Sequence, residues 1–395
     1  MTLHHSVSAR PKLRLGVDCR RTEFDGVGRF TSLLVDSIAK FLPEVQLVLF
    51  GDPANLRRYT ESCLVVPYSA ALISVRGFVE FPALAAMHGI DVFLAPQYYI
   101  PPGLRCPQIR VLHDAYPMRD DYYGPSAAAF EQRIGSAELV ELAAFLDLPL
   151  DGCTPREIVK RFYELSVACA TRLVTVSEFS REDLLRFFPH AANRLSVVPL
   201  YSADHQRGTG GYGSGAERIV MHVGKWEPRK RQDRFLDAME RLRSGGTAVD
   251  LLLIGRPIET FPEYGDQLRI RVEAGVAEGW IQWRPYVSDA ELSRWYRECS
   301  VMATFSSQEG FCLPLLEAMH AGLPTLAPRS AAIPEVGGDA VEYVAADLSD
   351  ACDRLGDLLD DSRRRAELSQ RGLRRAADYS ALRTAAAVRE VLQLI

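Results

Sequence analysis

The sequence predicts an α/β protein of two halves, each a parallel sheet flanked by helices. Three observations predict it. Short apolar runs of strand length alternate with stretches whose apolar residues recur at helical spacing, the pattern of strand–helix–strand units. The alternation halts at residues 202–217, SADHQRGTGGYGSGAE, which are rich in Gly, Ser and Thr, and then restarts. The length of 395 residues leaves room for two such units.

Residues 13–17 read as the first strand and end at Asp18. A Gly-containing turn, Asp25-Gly26-Val27-Gly28, follows, and Phe30, Leu33, Leu34, Ile38 and Phe41 then recur at helical spacing. Residues 45–50 read as a buried strand, completing one βαβ unit. Residues 92–95 and 109–112 are short core strands, the second running directly into His113-Asp114. Residues 126–171 are largely helical, with interruptions at Pro149 and Pro155. Strands follow at 173–176 and 195–198, separated by a helix that Ser177 caps. Beyond the linker come a strand at 219–223, a helix at 231–243 and a strand at 251–254. Then follow a helix at 289–298, a strand at 300–305 and a helix at 313–321. Short strands at 324–327 and 340–344 and helices at 348–360 and 362–378 complete the second half. The domain reading is therefore 1–201, a linker at 202–217, and 218–380, with 381–395 as a last helix. Ligands of such sheets bind at the carboxyl ends of strands, so chemistry is sought there.

Composition removes several function classes. A net charge of -5 argues against a generic nucleic-acid binder. The eight cysteines are irregularly spaced, with no C-x-x-C pair, which argues against a zinc site or a disulfide framework and makes a reducing cytoplasm the expectation. The first 15 residues have no apolar core of signal-peptide kind. The longest apolar runs fall far short of the roughly 20 residues that span a bilayer. Peripheral contact with the inner membrane face stays open, and oligomeric state is not legible.

Four constellations carry chemistry. The first is 306–322, SSQEGFCLPLLEAMHAG. Glu309 lies in a loop after a strand and Glu317 about one turn into the next helix, so both carboxylates can face one cleft and accept paired hydroxyls. The helix N-terminus between them suits a diphosphate. Read alone, Glu317 could equally be a solvated helix residue. The second is His222-Val223-Gly224-Lys225-Trp226-Glu227-Pro228-Arg229-Lys230. Only five residues of the chain are lysine, and two of them, Lys225 and Lys230, stand here beyond a strand, placed to grip phosphates as point charges. The third is Gly26-Val27-Gly28-Arg29, a lone G-x-G that by itself reads as a tight turn feeding a helix. It lacks the third glycine of a dinucleotide fingerprint, which argues against an NAD enzyme. The fourth is His113-Asp114 at a strand end. Tyr98, Tyr99, Tyr122 and Tyr123 also follow strand ends and are either sugar-stacking or packed aromatics.

With these residues in view, the chain resembles retaining glycosyltransferase family four, mannosyltransferase-like members included. The family signature E-G-F-x-L-P-x-L-E-A-M-x-x-G, with its E-x7-E carboxylates, is matched at Glu309-Gly310-Phe311, Leu313-Pro314 and Leu316-Glu317-Ala318-Met319, with Cys312 where glycine is usual. The forms G-[IV]-G-R, H-D, V-S-x-F-S and P-E-V-x-G-D-A are matched as well, over about residues 13–385. Two departures are a long connection at 130–165 and the lack of P-N-G-V-D near 199–205.

The resemblance implies the GT-B architecture: two facing Rossmann-like domains with an interdomain cleft, and a last helix that crosses back to the N-terminal domain. It implies that Glu309 contacts the donor sugar, with Gly310, Phe311, Cys312 and Leu313 lining the donor site, and that Glu317 binds the nucleotide ribose. It implies that Lys225, Lys230 and the loop of Gly26 and Gly28 face the donor phosphates, and that His113 lies near the reacting sugar, with Asp114 orienting its ring. Tyr98, Tyr99, Asp114 and Tyr122 fall on the acceptor side. The implied partners are a nucleotide-sugar substrate, with GDP-mannose favoured, and a sugar, lipid-linked or small-molecule acceptor. No D-x-D stands in a strand-end loop, and Asp120-Asp121 reads as solvated, so no cofactor and no metal are expected. A nucleotide-sugar-binding protein without activity, or another GT-B transferase, is the alternative.

Overall fold

The computed structural model describes residues 12–22, 26–99, 103–149, 154–202 and 218–395. The linker expected at 202–217 lies, from residue 203 on, outside the described residues.

Among the described residues, the N-terminal half holds seven strands: β1 Leu13–Asp18, β2 Val45–Gly51, β3 Leu64–Pro67, β4 Val92–Ala95, β5 Gln108–Val111, β6 Arg172–Thr175 and β7 Leu195–Val197. All pairings are parallel, in the order β3-β2-β1-β4-β5-β6-β7. Its helices are α1 Gly26–Phe41, α2 Val75–Met87, α3 Ala127–Ile134, α4 Ser136–Phe145, α5 Pro155–Cys169 and α6 Glu178–Phe187.

The C-terminal half repeats the plan with β8 Ile219–Val223, β9 Asp250–Ile254, β10 Ile281–Arg284, β11 Val301–Ala303, β12 Thr325–Pro328 and β13 Val341–Val344. The order is β10-β9-β8-β11-β12-β13, again parallel throughout. Its helices are α7 Gln232–Ser244, α8 Pro262–Ala277, α9 Asp289–Glu298, α10 Leu313–Ala321, α11 Ile333–Gly337, α12 Ala351–Asp360, α13 Ser362–Ala376 and α14 Ala381–Gln393. Strand order turns around between β1 and β4 in one sheet and between β8 and β11 in the other. Each turn-around opens a crevice at the strands' carboxyl ends.

The chain's last helix, α14, packs on α1 of the N-terminal half. The Thr384 hydroxyl donates to Pro199 O at 2.7 Å, and Arg389 reaches Glu44 at 2.7 Å. One buried apolar cluster runs through Leu34, Val174, Phe311, Leu316 and Val391, so the two halves share a core at this seam.

Three local expectations differ from the structure. Gly26 and Gly28 form the first turn of α1 and not a separate turn before it. Among the described residues the stretch 126–171 holds three helices, the first two divided at Gly135, whose φ is +93°. Pro155 interrupts nothing: it is the first residue of α5, where the missing N–H costs no helical bond, behind a Thr154–Glu157 capping box.

Candidate active site

The loop after β8 and the loop after β11 form the floor of the cleft on the C-terminal side. Glu309 stands at the tip of the second loop, 7% exposed. Its Oε1 takes the Lys230 ammonium and its Oε2 lies 3.4 Å from Arg229 Nη1. Arg229 is held in turn by Glu227 at 2.7 Å and donates to Gln308 O at 2.8 Å. Burial pushes the Glu309 carboxyl up, but the charges of Lys230 and Arg229, with hydrogen bonds from Lys230 and Ser306, outweigh it and hold the group below its ordinary range. Burial works against the Arg229 charge, and Glu227, Glu309 and Asp114 more than offset it. Lys225 is half-buried one turn of loop away, its carbonyl accepting from Gln232 Nε2 at 2.7 Å.

The helix α10 starts four residues after Glu309. Cys312 precedes it with φ +74°, a left-handed conformation. Phe311, Cys312 and Leu313 are all buried, Phe311 edge-on to Tyr379 with ring centroids 5.5 Å apart. Glu317 is 2% exposed on the inner face of α10 and is no solvated residue. Its Oε2 accepts from the Tyr296 hydroxyl at 2.8 Å. Its Oε1 meets Arg29 Nε at 2.7 Å, an ion pair too bent to be a hydrogen bond. Burial raises the Glu317 carboxyl; Arg29 and the Tyr296 hydroxyl offset part of that, while Asp289 adds to it.

From the N-terminal half, His113 follows β5. Its Nε2–H donates to Pro96 O at 2.8 Å, and the ring stands edge-on to Phe30 at 4.8 Å. That tautomer leaves Nδ1 as the ring's acceptor. The Asp114 carboxylate accepts from Tyr116 N at 3.0 Å. Burial raises Asp114, and Arg229 from across the cleft lowers it in part. Gly310 meets the same strand end: a Cβ there would lie 2.3 Å from His113 O. Its carbonyl accepts from Ser177 Oγ at 2.7 Å.

The structure thus brings His113, Asp114, Glu309, Gly310, Arg229 and Lys230 to one place. Glu317 lies about one turn into α10 and is reached from the N-terminal half by Arg29. Gly26 is exposed at the start of α1 and Gly28 is buried in the same turn. Tyr98 and Tyr99 are packed aromatics: their hydroxyls bond each other at 2.5 Å, Tyr98 lies tilted against Tyr163, and Tyr99 stands edge-on to Phe162, both on α5. Tyr122 is half-buried, edge-on to Tyr116. Tyr123 is 59% exposed and stacks on Phe261 of the other half at 5.8 Å.

Arg29 and Arg229, each quoted in a sequence motif without a role of its own, and Tyr296, not read from the sequence, also belong to this site. Arg229 adjoins Lys230 and could have been found by its charge. Tyr296 is twenty-one residues from Glu317 and offers no local sign. Among the described residues, no three His, Cys, Asp or Glu side chains are grouped to hold a metal ion. No helix of these residues is long and apolar enough to cross a membrane.

Comparison with known proteins bears on the fold. Residues 217–361 match the family described as Glycosyl transferases group 1. The chain is 30% identical over 249 residues to O-antigen chain mannosyltransferase B of Escherichia coli, covering 57% of this chain and 61% of that one. It is 31% identical over 242 residues to MMP alpha-(1->4)-mannosyltransferase of Mycolicibacterium hassiacum, covering 59% and 57%. The matched region thus spans less than two thirds of either relative. Among solved structures, Anabaena HepE in complex with UDP and glucose superposes with a TM-score of 0.68 at 14% identity, covering 97% of this chain and 100% of that one. Sucrose-phosphate synthase of Thermosynechococcus elongatus superposes at 0.69 and 16% identity, with the same coverage. The chain therefore has the GT-B fold, and its residues 217–361 match the glycosyl transferases group 1 family.

Proposed function

We propose that the protein is a retaining hexosyltransferase. It moves a sugar from a nucleotide-sugar on the C-terminal half to a hydroxyl of a glycan, lipid-linked or small-molecule acceptor on the N-terminal half. The observation that carries this reading is the bracketing of the α10 N-terminus. On one side stands buried Glu309 with half-buried Lys230 and Arg229, beside the strand end of His113; on the other stands buried Glu317. Buried charges are costly unless they serve each other or a ligand. A diphosphate beside this helix end would meet the helix dipole and the cations of Lys225, Arg229 and Lys230. The same cations would stabilise charge as the diphosphate leaves, without a metal. Glu309 takes the sugar hydroxyls, Glu317 the ribose, and His113 a position beside the reacting carbon. Two relatives named as mannosyltransferases support GDP-mannose as the donor. Cytoplasmic placement, with or without contact at the membrane face, goes with this donor chemistry.

The test is thermal stabilisation by GDP-, UDP-, ADP- and TDP-sugars, with and without magnesium. One nucleotide class should raise the melting temperature by mass action, equally in either case, and Glu317→Ala should lose the shift. A protein that no nucleotide-sugar stabilises would overturn the proposal. A donor that binds yet never turns over with any hydroxyl acceptor would leave a binding protein and not an enzyme.

A further inference from the structure

Arg29 leaves the first turn of α1, in the N-terminal half, and ends on the C-terminal half. Its Nε lies 2.7 Å from Glu317 Oε1 and its Nη1 3.2 Å from Asp289 Oδ1. The two targets differ. The Asp289 side chain is 87% exposed, so that arm is a surface contact of little consequence. The Glu317 side chain is 3% exposed, and among the described residues Arg29 is its one cationic partner. The charged or titratable groups that face Glu317 are Arg29 from α1 and Tyr296 and Asp289 from α9, with the Cys312 thiol beyond Tyr296.

We propose that Arg29 is a positioning residue: it reaches across the cleft to fix Glu317 for the donor ribose, so that the ribose is gripped in full only when the two halves are closed. The inference rests on the reading of Glu317 as the ribose-binding carboxylate. Its physical basis is the burial of Glu317. A carboxyl in a dry site prefers to be neutral, and a neutral carboxyl accepts hydrogen bonds less strongly than an ionised one. An ionised carboxylate offers about four acceptor sites over its two oxygens. The Tyr296 hydroxyl takes one site on Oε2, and Arg29 meets Oε1 as a charge without a hydrogen bond, which leaves acceptor sites on both oxygens for the two ribose hydroxyls. Tyr296 is neutral and travels with Glu317 in the same half. Arg29 supplies the charge, and only the closed arrangement of the halves delivers it. Opening the cleft withdraws the guanidinium, weakens the ribose contact and favours release of the nucleotide.

The experiment titrates GDP and UDP, each with its 2′,3′-dideoxy counterpart, into the wild-type protein, Arg29→Met, Arg29→Lys and Glu317→Gln between pH 5.5 and 8. The dideoxy partner shares the phosphates and the base, so the ratio of the two affinities isolates the ribose hydroxyls and cancels titration of the phosphate. The wild-type protein should prefer the ribose form by about tenfold or more. In Arg29→Met that preference should shrink towards unity in acid and recover as pH rises, because ribose binding needs the ionised carboxyl and the carboxyl without its cation ionises at higher pH. Arg29→Lys should restore part of the preference, and it carries the comparison should the methionine variant fold poorly.

A purely structural interdomain salt bridge would lower the melting temperature of Arg29→Met and leave the ribose preference and its pH profile as in the wild type; that result overturns the inference while the reading of Glu317 stands. A wild-type protein that binds a nucleotide with no ribose preference, as Glu317→Gln then also would, overturns the reading itself and this inference with it.

Discussion

Cys312 shows how much a single backbone angle decides at this site. The residue heads α10 with φ +74° and ψ 64°, where any side chain with a Cβ is strained. Glycine is the residue that fits, and the family signature carries glycine there. The cysteine is kept by burial: it is 5% exposed and packs with Leu315 and Leu316 in the core shared by the halves. Burial and then the Glu309 charge push its thiol up to about 12, so it is an inert packing group and not a nucleophile. Strain and lost packing can be separated by two truncations. Cys312→Ala removes the sulfur and keeps the strain, whereas Cys312→Gly removes both. Chemical denaturation should find the glycine variant more stable than the alanine variant by about 1 kcal/mol. This reverses the usual ranking at a helix, where alanine is favoured. An alanine variant equal to or more stable than glycine would mean that the left-handed angle is not held in solution.

At the scale of elements, the two halves are tied through helix ends. The N-terminus of α6 is capped twice: by Ser177, whose hydroxyl accepts from Ser180 N at 3.0 Å, and by Glu335 of α11 in the other half. The two Glu335 oxygens accept from Glu178 N and Phe179 N, each at 2.8 Å. A carboxylate here satisfies two of the helix's unpaired N–H groups and complements its dipole. Glu335→Ala should therefore lower unfolding free energy by about 1 kcal/mol, and Glu335→Gln, which loses the charge alone, by less. Equal stability of wild type and both variants would show that water replaces the contact without cost. The same contact explains what the sequence could and could not disclose. Glu335 stood within a readable motif, but its partners are 157 and 156 residues away and leave no local periodicity. Arg29 and Glu317 are hidden from one another for the same reason. Strand and helix alternation exposed most elements, because apolar spacing is a local property. The helices it missed mask that spacing with a breaker or with glycine. The α2 helix carries Pro82 inside. The buried face of α8 is Gly265, Leu268, Val272 and Gly275, half of it glycine, so no apolar stripe shows. At Gly275 a Cβ would lie 2.4 Å from Ile281 Cδ1, which is why the helix can lie so close to β10.

For the whole molecule, one close contact between the halves is made by backbone. Gly310 sits between His113, whose carbonyl oxygen is 2.3 Å from where a Cβ would be, and Ser177, whose hydroxyl holds its carbonyl at 2.7 Å. Ser180 Oγ adds a second bond to that carbonyl at 3.3 Å. The glycine is needed because a main-chain oxygen of the other half, and not a flexible side chain, occupies the space. One added methyl group cannot be absorbed by a rotamer change, and overpacking of this kind costs about 1–3 kcal/mol. The two sheets each keep their own core beneath, so the strain falls on the contact between them. Gly310→Ala should fold, because the substitution touches neither sheet, and should rest with the halves further apart. Small-angle scattering should then give a larger radius of gyration than for the wild type. The Arg29–Glu317 pair, which spans the same gap, should be lost with the closure, so nucleotide affinity should fall alongside the change in shape. A variant with an unchanged radius of gyration and unchanged nucleotide affinity would mean that the loop of Glu309 yields instead of the interface, and that closure does not depend on this contact.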